Sequence, residues 1–139
     1  MHLSRANMTA AAAATLALGF AGGLAVGQMK APTETKGLSA DKLQVLDLSD
    51  EIDSVMGRPL RMRKVMLLPG GVIGLHSHKD RPTMNYFLQG QVIYHQDGKA
   101  PRVVKAGDAV AEGKDTTHWA ENRGGVAAVW IAVDIPKEQ

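Results

Sequence analysis

Short runs of alternating apolar and polar residues, separated by turn residues, make up most of this chain. The clearest runs are Leu60–Leu68 and Val126–Ile135. Turn signals with glycine occur at Pro69-Gly70-Gly71, Asp97-Gly98 and Gly107-Asp108. This pattern predicts about six to nine short strands, as in an antiparallel sandwich or barrel. We therefore expect an all-β fold, with Leu60–Leu68 as a strand that ends at Pro69.

The run Val126–Ile135 also predicts which side chains share a face of the strand. In a strand, side chains two residues apart lie on the same face. One face therefore carries Val129, Ile131 and Val133, and the other carries Trp130 and Asp134.

The N-terminus has a different pattern. The 24 residues between Arg5 and Lys30 carry no charge, and small residues at 25–27 suit a signal peptidase. We expect 1–27 to be a signal peptide, or a short membrane-anchor helix with a tether through 6–29. The domain would then be periplasmic or secreted, or anchored in the inner membrane and held outside the cytoplasm.

The rest of the chain divides into a flexible lead-in over 28–37 and one β domain over 38–139. Within that domain a short strand is indicated by Leu43, Val45, Leu46 and Leu48. It would lie along the edge of the barrel or pair with a second subunit.

Composition excludes some functions. The formal charge is +2 and no Lys/Arg run is long enough for a nucleic-acid surface, so no nucleic-acid partner is expected. The absence of cysteine excludes disulfides and thiolate chemistry by the protein itself. The densest basic patch is interpreted as a solvated strand face, with an anion-attracting patch as the alternative; it consists of Arg58, Arg61, Arg63 and Lys64.

His76 and His78 are the first candidates for chemistry. Their spacing puts both imidazoles on one face of a strand, where they could bind one ion. Alone, such a pair is weak, because strands often carry two polar residues on a solvent face.

The wider spacing resembles the two motifs of the cupin superfamily. Seven of the ten defining positions match, and they are Gly70, His76, His78, Gly90, Gly107, His118 and Asn122. Thr83 stands where the first motif has Glu, while Gly113 and Asp115 stand where the second has Pro and Gly. The resemblance covers Leu60 to Ile135 and implies a small jelly-roll β-barrel.

The resemblance also implies a metal site built from His76, His78 and His118. Three imidazoles suit one divalent transition metal per chain, such as Fe, Mn, Ni, Cu, Co or Zn. Because Thr83 brings no charge, the metal would keep its full charge and favour an anionic ligand. The alternative is a site that has lost its metal.

Further site residues follow from the same resemblance. Thr83, Asn85 and Phe87 would face into the barrel and contact a small-molecule substrate. Glu112, six residues before His118, is a candidate proton acceptor or a partner of a ligand histidine, and Asn85 is the second catalytic candidate. The alternative for Glu112 is a surface position.

Other residues are expected to have structural roles. Asn122 would hold one end of the barrel by hydrogen bonds, Trp119 would face away from the metal, and His95 would be exposed. Met84, Tyr86 and Leu88 would face outward although they are apolar, which indicates that a second sheet or a second subunit covers them. We expect a homodimer.

These features are compatible with two functions. The first is a metal-dependent oxygenase acting on a small anionic molecule. The second is a non-catalytic periplasmic module that binds a ligand or a metal.

Overall fold

The computed structural model describes residues 30–55 and 57–137. The predicted signal peptide 1–27 and the tether through 6–29 lie outside these residues. No helix in the described ranges has the length and apolar character needed to cross a membrane.

The described residues form an all-β antiparallel fold, as the alternation predicted. The strands are β1 Lys36–Asp47, β2 Pro59–Ser77, β3 Thr83–Gln89, β4 Gln91–Gln96, β5 Arg102–Lys105, β6 Ala109–Glu112, β7 Thr117–Glu121 and β8 Ala128–Asp134. One 3-10 turn, Asp53–Val55, lies between β1 and β2. The strands follow the order β5-β4-β7-β2-β8-β3-β6 in a curved half-barrel, and β1 pairs with β2.

Strand β2 does not end at Pro69, which corrects the predicted break there. It pairs with β8 over Arg61–Leu67 and with β7 over Val72–Ser77. At the change of partner Gly70 has a φ of 73°, and its N–H donates to Asn122 O at 2.8 Å. Glycine allows this conformation, so the chain bends within the sheet instead of leaving it.

The inward faces of the strands form one apolar core. Leu67, Val104 and Ala128 are fully buried. Phe87 and Trp130 stack with ring centroids 5.0 Å apart. The predicted faces of β8 are confirmed, because Trp130 and Asp134 are buried while Val129, Ile131 and Val133 are only partly buried.

The alternation of β3 is confirmed as well. Thr83, Asn85 and Phe87 are buried, whereas Met84, Tyr86 and Leu88 are 63%, 51% and 50% exposed. An apolar outer face is therefore uncovered in the single chain.

The predicted edge strand is longer than expected and pairs within the chain. β1 begins at Lys36 and lies antiparallel to the first half of β2 and to Val72, yet all twelve of its residues are exposed.

The residues just before β1 contact β2, whereas the sequence predicts a flexible lead-in over 28–37. Leu75 N–H donates to Pro32 O at 2.7 Å, and Gly74 N–H donates to Thr35 Oγ1 at 2.9 Å. A Cβ at Gly74 would lie 2.5 Å from Thr33 O. The absence of a side chain at residue 74 therefore allows this close approach.

Candidate metal site

The three histidines meet at the end of the β2–β7 pairing, where His76 lies on β2 and His118 on β7. His78 follows the last residue of β2, so it is not on the strand as predicted. His76 is the direct cross-strand partner of His118. A register irregularity between Ile73 and His76 changes the alternation of β2, so that Ile73 and His76 line the same cavity although they are three residues apart. A bulge of this kind re-aims the side chains that follow it.

Their Nε2 atoms converge. His76 Nε2 and His118 Nε2 each lie 3.1 Å from His78 Nε2. A metal bound by nitrogens at about 2.1 Å, with near right angles between the bonds, separates them by about 3 Å. Two of the three spacings thus match those of neighbouring ligands in a metal coordination sphere, and the ligand atoms of all three histidines lie within 4.8 Å of one another.

The outward nitrogens of two rings fix their tautomers. Nδ1 of His76 lies 2.9 Å from Gly74 O, and Nδ1 of His78 lies 3.1 Å from Arg81 O. Carbonyl oxygens only accept, so each Nδ1 carries the proton and each Nε2 lone pair faces the centre. Nδ1 of His118 has no hydrogen-bond partner within the described ranges.

Burial keeps the three imidazoles neutral. It lowers the pKa of His76 and of His78, and it lowers the pKa of His118 to about 3. Neutral imidazole is the form that binds a metal, so the donor set fits a divalent transition metal.

Glu112 completes the polar end of the cavity. Its Oε2 lies 3.1 Å from His78 Nε2, and its Oε1 lies 3.3 Å from His118 Nε2. Asn85 Nδ2 donates to Oε2 at 2.9 Å, and Tyr94 OH donates to Oε1 at 3.1 Å. Burial raises the pKa of Glu112, and the two hydrogen bonds oppose that rise. The alternative of a surface position is wrong, because Glu112 is only 6% exposed.

The candidate contact residues line the same cavity, whose volume is about 130 Å³. Thr83, Asn85 and Phe87 all belong to its wall. The Thr83 hydroxyl also lies 3.0 Å from His78 Nδ1 and 3.2 Å from Arg81 O, so it supports the orientation of the histidine. Asn85 is held by Glu112, and Phe87 by its stacking on Trp130.

Sequence reasoning missed Tyr94. Its ring stacks on His118 with centroids 4.5 Å apart, and its hydroxyl reaches Glu112. Burial, followed by the nearby Glu112, raises the pKa of Tyr94, so the phenol stays neutral. The sequence feature that could have identified Tyr94 is its position two residues after Val92, on the inward face of β4.

A second missed group surrounds Asp134, which is 1% exposed. Arg61 donates to both carboxylate oxygens, from Nε at 3.0 Å and from Nη2 at 2.7 Å, and Arg63 Nη2 donates at 3.0 Å. The Arg61 and Arg63 side chains are only 28% and 21% exposed. The interpretation of these arginines as a solvated strand face is therefore wrong, because Asp134 draws both inward. The sequence feature that could have revealed this group is a charged residue, Asp134, on the same face of β8 as Trp130.

Two of the three residues with predicted structural positions lie as expected. Asn122 donates to Leu67 O and Val126 O at 2.9 Å each, as expected for a residue that holds the barrel end. Trp119 faces away from the metal site, as predicted, because it alternates with the buried His118 on β7 and stacks on His95. His95 is half-buried rather than exposed, because it stacks on Trp119 at 3.6 Å and contacts Glu121 Oε1 at 3.0 Å.

Known proteins share this fold. A predicted oxalate decarboxylase from Thermotoga maritima superposes with a TM-score of 0.57 at 23% identity, over 77% of this chain and 94% of that one. KdgF from a Halomonas species superposes with a TM-score of 0.58 at 19% identity, over 74% and 82%. Both likenesses concern the fold.

A relative was found by sequence as well. The oxalate-binding protein of Thermotoga maritima is 33% identical over 72 residues, which are 52% of this chain and 59% of the relative. The chain thus matches about three-fifths of that relative's length. The family model described as "Cupin domain" matches residues 63–134, which hold the three histidines and Glu112 and make up slightly more than half of the chain. The chain therefore belongs to the cupin domain family.

Proposed function

We propose that this protein is a metal-dependent cupin enzyme in which His76, His78 and His118 hold one divalent transition metal, and that it acts on a small anionic molecule. The observation that carries the proposal is the convergence of three Nε2 atoms, with two spacings of 3.1 Å. The metal is one of Fe, Mn, Ni, Cu, Co or Zn, which all accept imidazole. When bound, it supplies Lewis acidity and open positions for a ligand.

The residues around the metal site have separate roles in this proposal. Glu112 exchanges a proton with the substrate. Burial raises its pKa above the ordinary value of a carboxyl group, and its carboxylate lies beside the histidines. Asn85 and Tyr94 hold the carboxylate in place through their hydrogen bonds. Thr83 and Phe87 line the space for the substrate.

The reaction class that we propose is an oxygenation. It is favoured by the resemblance of the three-histidine set, with threonine at the usual glutamate position, to oxygen-using cupins. A second candidate is a non-catalytic module that binds a ligand or a metal, and it is favoured by the relative named as an oxalate-binding protein.

The test measures metal content and oxygen consumption of the purified full chain. Wild type and His95→Ala, a control histidine on the other side of the sheet, should each hold close to one metal per chain. His76→Ala should hold far less. Metal-dependent oxygen consumption in a screen of small anions supports the enzyme. A ligand complex without turnover supports the binding module, and a chain that takes up no metal contradicts both the enzyme and metal binding.

Assembly and location form separate proposals. We propose a homodimer that covers the outer apolar face of β3, defined by Met84, Tyr86 and Leu88. We also propose export to the periplasm or beyond the cell, with inner-membrane anchoring as the alternative; the support is the uncharged sequence over 6–29. The N-terminal mass of the protein recovered from cell fractions distinguishes cleavage from anchoring.

A further inference from the structure

The cavity beside the histidines contains two arginines that the proposed chemistry does not use. Arg63 and Arg81 belong to its wall together with the three histidines and Glu112. Most of the remaining wall is apolar, and it includes Leu38, Val65, Ile73, Phe87, Val92 and Trp130. A ligand in this space would therefore meet a metal site, a cationic group and an apolar surface.

The positive charge around Asp134 is not balanced by that carboxylate. Arg61 occupies both of its oxygens, and Arg63 shares Oδ2. Arg81 Nη1 lies 4.0 Å from the same oxygen, which is beyond hydrogen-bond distance. Three guanidiniums thus surround one acid, and Arg81 keeps donors for another anion.

A basic cleft on the surface shares part of its wall with the cavity. It has a volume of about 870 Å³, and Arg63 and Arg81 form part of its wall as well as of the cavity wall. The other charged residues of this cleft are Lys42, Arg61, Lys79, Asp80 and Lys137. Asp80 is paired with Lys137 at 3.1 Å, so the remaining cations determine the electrostatic field in the cleft. A cleft lined by one sign of charge concentrates the opposite sign.

The size and the wall of the cavity restrict the anion. A volume of about 130 Å³ is close to the roughly 150 Å³ of an apolar cavity that binds benzene. Oxalate would fill only part of this space and would leave the contacts with Phe87 and Trp130 unmade. A carboxylate with a short hydrocarbon or aromatic body would use both the arginines and the apolar wall.

We propose that Arg81, assisted by Arg63, binds the carboxylate of the ligand, and that this ligand is a small carboxylate with a hydrocarbon or aromatic body rather than oxalate. The inference rests on the proposed function in one respect, which is that the ligand occupies the cavity beside the histidines. Guanidinium binds a carboxylate through two parallel hydrogen bonds, which lysine cannot reproduce.

The test is isothermal titration calorimetry of the full chain with benzoate, butanoate, oxalate and benzamide. Each titration is made with metal-free protein and with protein loaded with Zn²⁺, which has no redox chemistry. Benzoate and butanoate should bind at least about tenfold more tightly than oxalate, and benzoate should bind at least about tenfold more tightly than benzamide.

The variants separate recognition from folding. Arg81→Gln should weaken benzoate binding about 10- to 100-fold in both forms of the protein and leave benzamide binding unchanged. It keeps the backbone carbonyl that His78 Nδ1 contacts, so the metal content should stay as in wild type. Arg81→Lys should lose less affinity. Arg123→Gln, which removes a cation paired with Glu121 away from this cavity, should match wild type. If Arg81→Gln does not fold, Arg81→Met is the second neutral variant.

Equal benzoate affinity in wild type and in the neutral Arg81 variants would overturn the role of Arg81. If oxalate bound most tightly, the proposal that the ligand has a hydrocarbon or aromatic body would be wrong. These results are distinct from a failure of the proposed function. A chain that binds no metal but still binds benzoate through Arg81 contradicts the metalloenzyme and supports this inference.

Discussion

Thr83 and Glu112 face each other across β3 and β6, and the Glu112 carboxylate lies 3.1 Å from Nε2 of His78. Thr83 occupies the position at which the first cupin motif has glutamate. Its cross-strand neighbour therefore brings a carboxylate to the histidines from a different strand. The site keeps an acidic group even though its motif lacks one.

Glu112→Gln should weaken metal binding by about 10- to 100-fold, because it removes a negative charge beside the Nε2 atoms that would hold the cation. The amide keeps the size of the side chain and removes its charge. Competition with a chelator measures the affinity. Glu121→Gln, on the outward face of β7, should leave the affinity unchanged, and an unchanged affinity in Glu112→Gln would count against a role for this carboxylate in metal binding.

The metal-free protein should lose stability in acid. The folded pKa of His118 is about 3, below the unfolded value of 6.5, and burial also lowers the pKa of His76 and His78. The unfolded chain therefore binds more protons between about pH 6.5 and 3. The contribution of His118 is fully present above pH 6.5 and declines as the pH falls through this window. The raised pKa of Glu112 acts in the opposite sense, since it favours the folded state at low pH.

Urea unfolding with a chelator, repeated across this pH range, measures the effect. In His118→Gln the slope of unfolding free energy against pH should fall by up to about 1.4 kcal/mol per pH unit. Parallel curves for wild type and the variant would mean that His118 titrates alike in both states.

Asn122→Ala should destabilise the fold by about 2–4 kcal/mol, because it leaves buried backbone groups without partners. Its side chain contacts the carbonyls of Leu67 and Val126 and accepts from Gly124 N–H at 2.9 Å. Denaturant unfolding measures the loss, and metal content at low temperature should be unchanged. Gln89→Ala, which removes one exposed bond of 3.3 Å, should stay within about 0.5 kcal/mol of wild type. A loss of the same small size in Asn122→Ala would show that the barrel end does not depend on these bonds.

Met84→Glu should convert the proposed dimer to a monomer, because a carboxylate would replace an apolar side chain on the uncovered face. Light scattering during size-exclusion chromatography gives the mass. Val103→Glu, at another exposed apolar position, is the matched control and should remain dimeric. A monomeric wild type would refute the dimer.

Local pattern predicted the individual strands well. The faces of β3 and β8 followed from alternation, because that period depends only on neighbouring residues in one strand. The prediction that the strand ends at Pro69–Gly71 was wrong, although proline and glycine normally interrupt a strand. There the chain instead changes partner from β8 to β7, and Asn122 holds the bend.

The sequence by itself determined the all-β class, the family resemblance and the three histidines, since these depend on spacing along the chain. Only the tertiary structure decided that Glu112 and Tyr94 belong to the site and that Asp134 draws Arg61 and Arg63 inward. These relationships join strands that are distant in sequence. Their side chains meet because of strand order and register, which local periodicity does not encode.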